Sequence, residues 1–264
     1  MIAKPKKVDK ISNDTGSSIS NFHRSSRAAL KKSIIDKRTL WIIDIDGTLI
    51  NVHSNQIPAW NWALNKTYGF VPKESELIKH FGKPFNSVLS GIVGDYKIDI
   101  KVLNSGQNKA LQTYIKAVNY NLKTSGGQVL PGVIEFLELL GKKGHIKAIA
   151  TGNPKEEAEY KLKHFDLFKY FDIKVYCDDR KKRSELVSQA IKTARKEFGL
   201  SFRKPKYVFV VGDSVHDIES AKHTNATSIA ISTGKTSKVD LLKAKPNFLI
   251  SDFRELHSLI ESIS

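Results

Sequence analysis

Four short stretches of this chain combine acids, hydroxyls and cations in patterns suited to work on an anion. Asp44-Ile45-Asp46-Gly47-Thr48-Leu49 sets two carboxylates two residues apart, directly after the apolar run Leu40-Trp41-Ile42-Ile43. Like charges that close at the end of a buried strand need a cation or a shared proton. Gly47 lets the chain turn sharply away. The plainer reading of the same letters is an Asp-Gly turn leading into a helix cap. Val211-Gly212-Asp213-Ser214-Val215-His216-Asp217 follows another apolar run and sets two acids four apart. Such acids suit a hard cation held by oxygen, or, more plainly, a loop acid capping a helix.

The other two stretches are weaker alone. Ala150-Thr151-Gly152-Asn153 lies after an apolar run and before a helical pattern. A hydroxyl and free backbone N–H groups at a helix start can cradle phosphate, although Thr and Asn are common helix caps. Asp178-Asp179-Arg180-Lys181-Lys182-Arg183-Ser184-Glu185-Leu186 supplies cations at a similar place. By itself it reads as a solvated basic turn with Ser184 as the cap.

These residues need elements to bring them together. Leu40–Ile43, Ile146–Ala150, Ile173–Tyr176, Tyr207–Val211 and Thr227–Ile231 are short and continuously apolar. That pattern fits strands buried on both faces of a parallel sheet. Helical patterns at Val133–Lys142, Lys155–His164, Ser184–Phe198 and Val215–His223 alternate with them. Phe248-Leu249-Ile250 is a candidate edge strand, followed by a helix from Phe253. The alternation predicts an α/β, Rossmann-like parallel sheet with helices on both faces and right-handed crossovers. Ligands in such sheets bind beyond the carboxyl ends of the strands, where all four stretches fall.

Residues 52–125 break the alternation. Pro58–Tyr68, Glu74–His80, Phe85–Val93 and Asn108–Leu122 are helix-like, with no strong strand between them. This predicts an all-helical insert, a cap, at 52–125, with the α/β core formed by 39–51 and 126–264. Gly47–Val52 and Thr124-Ser125-Gly126-Gly127 are its expected hinges. Trp60 and Trp62, two apart on one helix, cannot share a face, so one is expected in the insert's core and the other toward the cleft or a partner. Residues 1–38 are rich in Lys, Ser and Asn and poor in large apolar groups. They are expected to form a mobile basic tail.

The formal charge is +16, and the first forty residues hold ten Lys/Arg against three Asp, a net +7. Such a surface concentrates anions, whether phosphorylated metabolites or nucleic acid. Cys177 is the single cysteine, which excludes an intramolecular disulfide and a cysteine-based zinc site and fits a reducing cytoplasm. No run of about eighteen apolar residues suggests a membrane span, and the polar start lacks the apolar stretch of a secretory leader.

Taken in order, DIDGT, ATGN, a basic residue and GDSVHD resemble the haloacid dehalogenase (HAD) superfamily over about Leu40 to Leu256. The stretch from Ala150 through Lys161-Leu162, then Asp178-Asp179 to Arg183-Ser184-Glu185-Leu186-Val187, is similar to the phosphoglycolate-phosphatase-like branch, and the insert is similar to that branch's helical cap. The resemblance implies catalytic roles for Asp44, Asp46, Thr151 and Arg183. Asp44 is the nucleophile that becomes an aspartyl-phosphate, and Asp46 protonates the leaving oxygen and then activates water. Thr151 and the Gly152 N–H hold the phosphoryl group, with Gly47, Asn153 and Lys83 as further substrate-binding residues. Mg²⁺ is implied at Asp44, the Asp46 carbonyl and Asp213, with Asp217 in support.

The family's third-motif cation is usually Lys; here Lys181, Lys182 and Arg183 compete, and Arg183 matches the branch's position best. Phe81-Gly82-Lys83-Pro84 resembles the cap loop that faces the active site, so Lys83 is a candidate for a distal anionic group. His53 and Asn51 are candidates for the cleft wall. Dehalogenases of the superfamily lack an acid where Asp46 stands, which favours phosphoryl transfer. The leading expectation is a Mg²⁺-dependent phosphatase of a small substrate: a phosphoglycolate-like acid, a sugar phosphate or a nucleoside monophosphate. The alternatives are a phosphomutase, or a nucleic-acid-binding or scaffold protein on a reused fold, using the basic tail.

Overall fold

The computed structural model describes residues 38–81, 83–177, 182–199 and 207–261, without the side chains of His53, Ser54 and Ser125. The expected tail therefore lies outside the described residues except for Arg38, as do Gly82 and Lys181.

Strand β1 (Leu40–Ile43) is buried along its whole length. It is central because apolar side chains leave it on both faces. Trp41 and Ile43 join one core cluster with Phe136, Phe209 and Phe253. Leu40 and Ile42 join a second with Leu186, Val187 and Ala190. The neighbouring strands are β4 (Ile146–Thr151), β5 (Ile173–Tyr176), β6 (Val208–Gly212), β7 (Thr227–Ile231) and β8 (Phe248–Ile250). All pair in parallel, in the order β5-β4-β1-β6-β7-β8. Ile43 is level with Ile149 on one side and Val211 on the other. Asp44, Thr151 and Asp213 thus leave three adjacent strands at one edge.

Short strands β2 (Ile50–Asn51) and β3 (Gln128–Val129) pair antiparallel and flank helices α1 (His53–Tyr68), α2 (Glu74–Ile78), α3 (Phe85–Asp95) and α4 (Ile100–Ser125). The sequence reading missed this ribbon because two-residue strands carry no periodicity. It sets the way out of the sheet beside the way back, with Leu130 N donating to Leu49 O at 2.9 Å. Helix α1 packs on α4. It begins earlier than expected, running through Pro58, and α4 extends beyond both expected ends.

The sheet's helices follow as α5 (Val133–Lys142), α6 (Lys155–His164), α7 (Arg183–Phe198), α8 (Val215–His223), α9 (Lys238–Lys243) and α10 (Phe253–Glu261). Among the described residues, no helix is long and apolar enough to cross a membrane.

Candidate active site

The turn after β1 explains the spacing of the first acid pair. Asp44 N donates to Val211 O at 3.1 Å, which keeps Asp44 in line with the sheet. The chain then turns at Gly47, with φ of 77°. Gly47 N bonds Ile50 O at 2.8 Å, and its carbonyl accepts from Thr233 Oγ1 at 2.7 Å. A Cβ on Gly47 would stand 2.6 Å from Asp213 Oδ2. Glycine is needed twice over, for the left-handed backbone and for the approach of Asp213.

Carboxylate oxygens of Asp44, Asp213 and Asp217 lie within 4.8 Å of one another. Burial, then repulsion from Asp217 and Asp46, pushes Asp44 up to about 6 against the pull of Arg183. Burial and the charges of Asp44 and Asp217 raise Asp213 well above the carboxylate range. Thr48 Oγ1 donates to Asp213 Oδ1 at 3.0 Å.

Arg183 begins α7 and reaches the acid cluster, while Lys181, one of its competitors, lies outside the described residues. Its Nη2 lies 2.6 Å from Asp44 Oδ1 and 2.8 Å from Asp217 Oδ1. Burial opposes its charge, but Asp217 and Asp44 outweigh burial and raise its pKa. Lys182, the residue before, is exposed. Ser184 is not the cap here: Lys182 holds the N-cap position, its N–H bonded to Glu185 Oε2 at 2.6 Å.

Asp217 takes the capping role that its motif allowed. Its Oδ2 accepts from Ser214 N at 3.2 Å and from Ser214 Oγ at 2.6 Å, while Ser214 Oγ accepts from Asp217 N at 3.3 Å. That is a reciprocal cap of α8. The other oxygen is left to hold Arg183. Thr151, by contrast, caps nothing. The N-cap of α6 is Pro154, and Thr151 Oγ1 accepts from Asn153 N at 3.2 Å.

Asp46 stands among Asn153, expected at the substrate, and Lys161 and Glu157, to which the sequence reading gave no role. Asn153 Nδ2 donates to Asp46 Oδ2 at 2.7 Å, so this amide is engaged with the second acid. Lys161 Nζ lies 2.8 Å from the same oxygen and 2.5 Å from Glu157 Oε1, with 0% of Lys161 exposed. Burial opposes the ammonium, yet Asp46 and Glu157 raise its pKa. The available signal was on the helix: Glu157 and Lys161, four apart, share a face with Ala158 and Leu162, the buried side of α6.

The acids open onto a cavity of about 390 Å³, walled on the insert side by Trp60, Phe81, Lys83, Phe85 and Tyr114. Trp60 is both core and wall. It stacks on Phe85 at 4.8 Å and tilts against Tyr114 at 4.7 Å, whereas Trp62 is 44% exposed. Lys83 is exposed at the rim. Asn51 lies in β2 and does not line the cavity. Lys235, from the loop after β7, does line it and reaches over the Phe81 ring at 4.9 Å.

A parallel sheet whose central strands end in these acids defines a class of hydrolase, and residues 41–231 match the family model for haloacid dehalogenase-like hydrolases. The chain belongs to that family. It is similar to pyrophosphatase PpaX of Bacillus mycoides, 24% identical over 223 residues, covering 84% of this chain and 97% of the relative. PpaX of Bacillus cereus is 25% identical, with 84% and 96% covered. The solved structure of a predicted phosphoglycolate phosphatase from Haemophilus somnus matches with a TM-score of 0.70 at 20% identity, covering 84% of this chain and 97% of that one.

Proposed function

We propose that this hydrolase is a Mg²⁺-dependent phosphatase that acts on a small phosphorylated metabolite through an aspartyl-phosphate at Asp44. The observation that carries the reading is the meeting of Asp44, Asp213, Asp217 and Arg183 at one edge of the sheet, beside a cavity that Asp44, Asp213 and Arg183 line.

The donor set fits a hard divalent cation: it is all oxygen, buried and crowded with like charge. Asp44, the Asp46 carbonyl and Asp213 would hold Mg²⁺, and Asp217 would support it directly or through water. When bound, the ion supplies positive charge that eases the approach of a carboxylate to a phosphate.

In the first half-reaction an Asp44 oxygen forms a bond to phosphorus as the bond to the leaving oxygen breaks. Asp46 gives that oxygen a proton. Thr151 Oγ1 and the Gly152 N–H donate to the transferring oxygens, and Arg183 offsets their charge. In the second half-reaction Asp46 takes a proton from water. The water oxygen bonds to phosphorus, the Asp44–phosphorus bond breaks, and phosphate leaves.

Helices α1–α4 act in this reading as a cap whose aromatic wall grips the organic part of the substrate. Lys83 at the rim suits a second anionic group. The candidate substrates are phosphoglycolate-like acids, sugar phosphates and nucleoside monophosphates, and the names of the PpaX relatives add a pyrophosphate.

The test is a Mg²⁺ screen over these substrates and 4-nitrophenyl phosphate, with Asp44→Asn beside the unmodified chain. The expected result is turnover that EDTA stops, that Mg²⁺ restores, and that Asp44→Asn lacks. Normal turnover in Asp44→Asn would remove the nucleophile from this reading.

A further inference from the structure

We propose that Lys161, Glu157 and Tyr114 form a buried relay that positions Asp46 for proton transfer and makes that positioning depend on the docking of the helical insert. The inference rests on the phosphatase reading above and adds residues to it.

The relay crosses from the insert to the sheet. Tyr114, on α4, donates its hydroxyl to Glu157 Oε1 at 3.2 Å. Glu157, on α6, holds Lys161 at 2.5 Å, one helical turn on. Lys161 holds Asp46 Oδ2 at 2.8 Å. All three relay residues are buried. Helices α4 and α6 pack together here, with Tyr160 Oη donating to Asn119 O at 3.3 Å along the same seam.

A structural brace does not account for this arrangement. Burying an ammonium and a carboxylate costs hydration that an apolar pair of equal volume would not lose. The ammonium, moreover, is turned toward the reacting acid. Lys161 and Asn153 both bind Oδ2 of Asp46, whereas Oδ1, itself buried, has no hydrogen-bond partner among the described residues. The clamp on Oδ2 fixes the direction in which the carboxyl group presents its other oxygen. Placement of this kind is what a general acid requires, because proton transfer fails outside hydrogen-bond reach.

Tyr114 extends the clamp to the insert. Its ring packs against Trp60 and Phe85, both cavity-lining. A shift of α4 away from the sheet pulls the hydroxyl from Glu157 and loosens the Lys161 that Glu157 orients. Lys161, which does not line the cavity, is a positioning residue; Tyr114 and Glu157 border the cavity and act on Asp46 through Lys161.

The test separates positioning from structure by leaving group. 4-Nitrophenoxide departs without a proton, whereas the more basic phenoxide needs one. In both cases kcat/KM reports only the steps through departure. With Mg²⁺ and the full chain, Lys161→Met should lower kcat/KM for phenyl phosphate about tenfold more than for 4-nitrophenyl phosphate. Tyr114→Phe, which keeps the ring, should shift the ratio the same way by about threefold. Lys161→Met/Glu157→Gln removes both charges and stands in if the single variant fails to fold, as judged by circular dichroism.

Equal losses on the two substrates, or no loss, would overturn the relay. Asp46→Asn sets the scale. If it shows no leaving-group dependence while turnover persists, the acid role of Asp46 fails, and the relay with it. If it shows that dependence and the Lys161 variants do not, only the relay fails.

Discussion

The Arg183 guanidinium stands 2.6 Å from Asp44 Oδ1, and the first of these residues opens a helix while the second closes a strand. Asp217 fixes the same guanidinium from the other side at 2.8 Å. The cation is thereby held beside the nucleophile by an acid that is itself anchored by Ser214, the N-cap of α8.

Arg183→Met should cost more than one lost contact, because it removes the guanidinium that bridges Asp44 and Asp217. The expected fall in kcat/KM is about 10²–10³-fold, the size seen when one stabilising donor is removed. Arg183→Lys carries the charge but not the planar fork, so it cannot serve both acids at once. It should fall between the two in a steady-state assay on 4-nitrophenyl phosphate.

Gly234→Ala tests how closely the backbone is fitted around Asp213. A Cβ at Gly234 would overlap the Asp213 carboxylate, which must then swing away. The Mg²⁺ concentration for half-maximal activity should rise about tenfold, as for other changes in the surroundings of a metal ligand. A Mg²⁺ titration of activity checks this, and an unchanged midpoint would take Asp213 out of the metal site.

Trp41 should be a large contributor to stability. It is fully buried, stacked on Phe209 at 4.4 Å and edge-on to Phe136 at 5.2 Å. Trp41→Ala should cost about 3–5 kcal/mol in urea unfolding, through lost burial and the cavity left behind.

His145 should make the fold acid-sensitive. Burial, then the nearby Lys143, Lys147 and Arg38, lowers its pKa from 6.5 to about 4. Its Nδ1 accepts from Thr39 N at 3.3 Å, a bond only the neutral ring can make. Between these pH values the unfolded chain binds a proton that the folded chain does not, so stability rises with pH there. The contribution is complete above about 6.5 and is lost as pH falls toward 4. His145→Gln should flatten that part of a stability-against-pH curve measured by urea unfolding.

Much of the scaffold was legible in the letters. The continuous apolarity of Leu40–Ile43 predicted a strand buried on both faces, and it lies between β4 and β6. Helices α5, α6 and α8 run over the spans their periodicity indicated. These are local signals, because strand and helix each impose a repeat that a window of sequence can carry. The residue types fixed the available chemistry in the same way: acids, a hydroxyl and a guanidinium at the ends of strands.

Which of those groups meet was decided by the tertiary structure. Residue type and charge do not separate the Arg183 that reaches Asp44 from the exposed Lys182 beside it, and only the resemblance favoured Arg183; the start of α7 against β5 makes the contact. Asn153 looked like a phosphate contact and is turned to Asp46, 107 residues away in the chain. Lys161, given no role by the sequence reading, is fully buried beside the same acid. Sequence carries the period of each element, but the partner of a buried charge depends on how elements cross in space. Those crossings are set by long-range packing that no local pattern records.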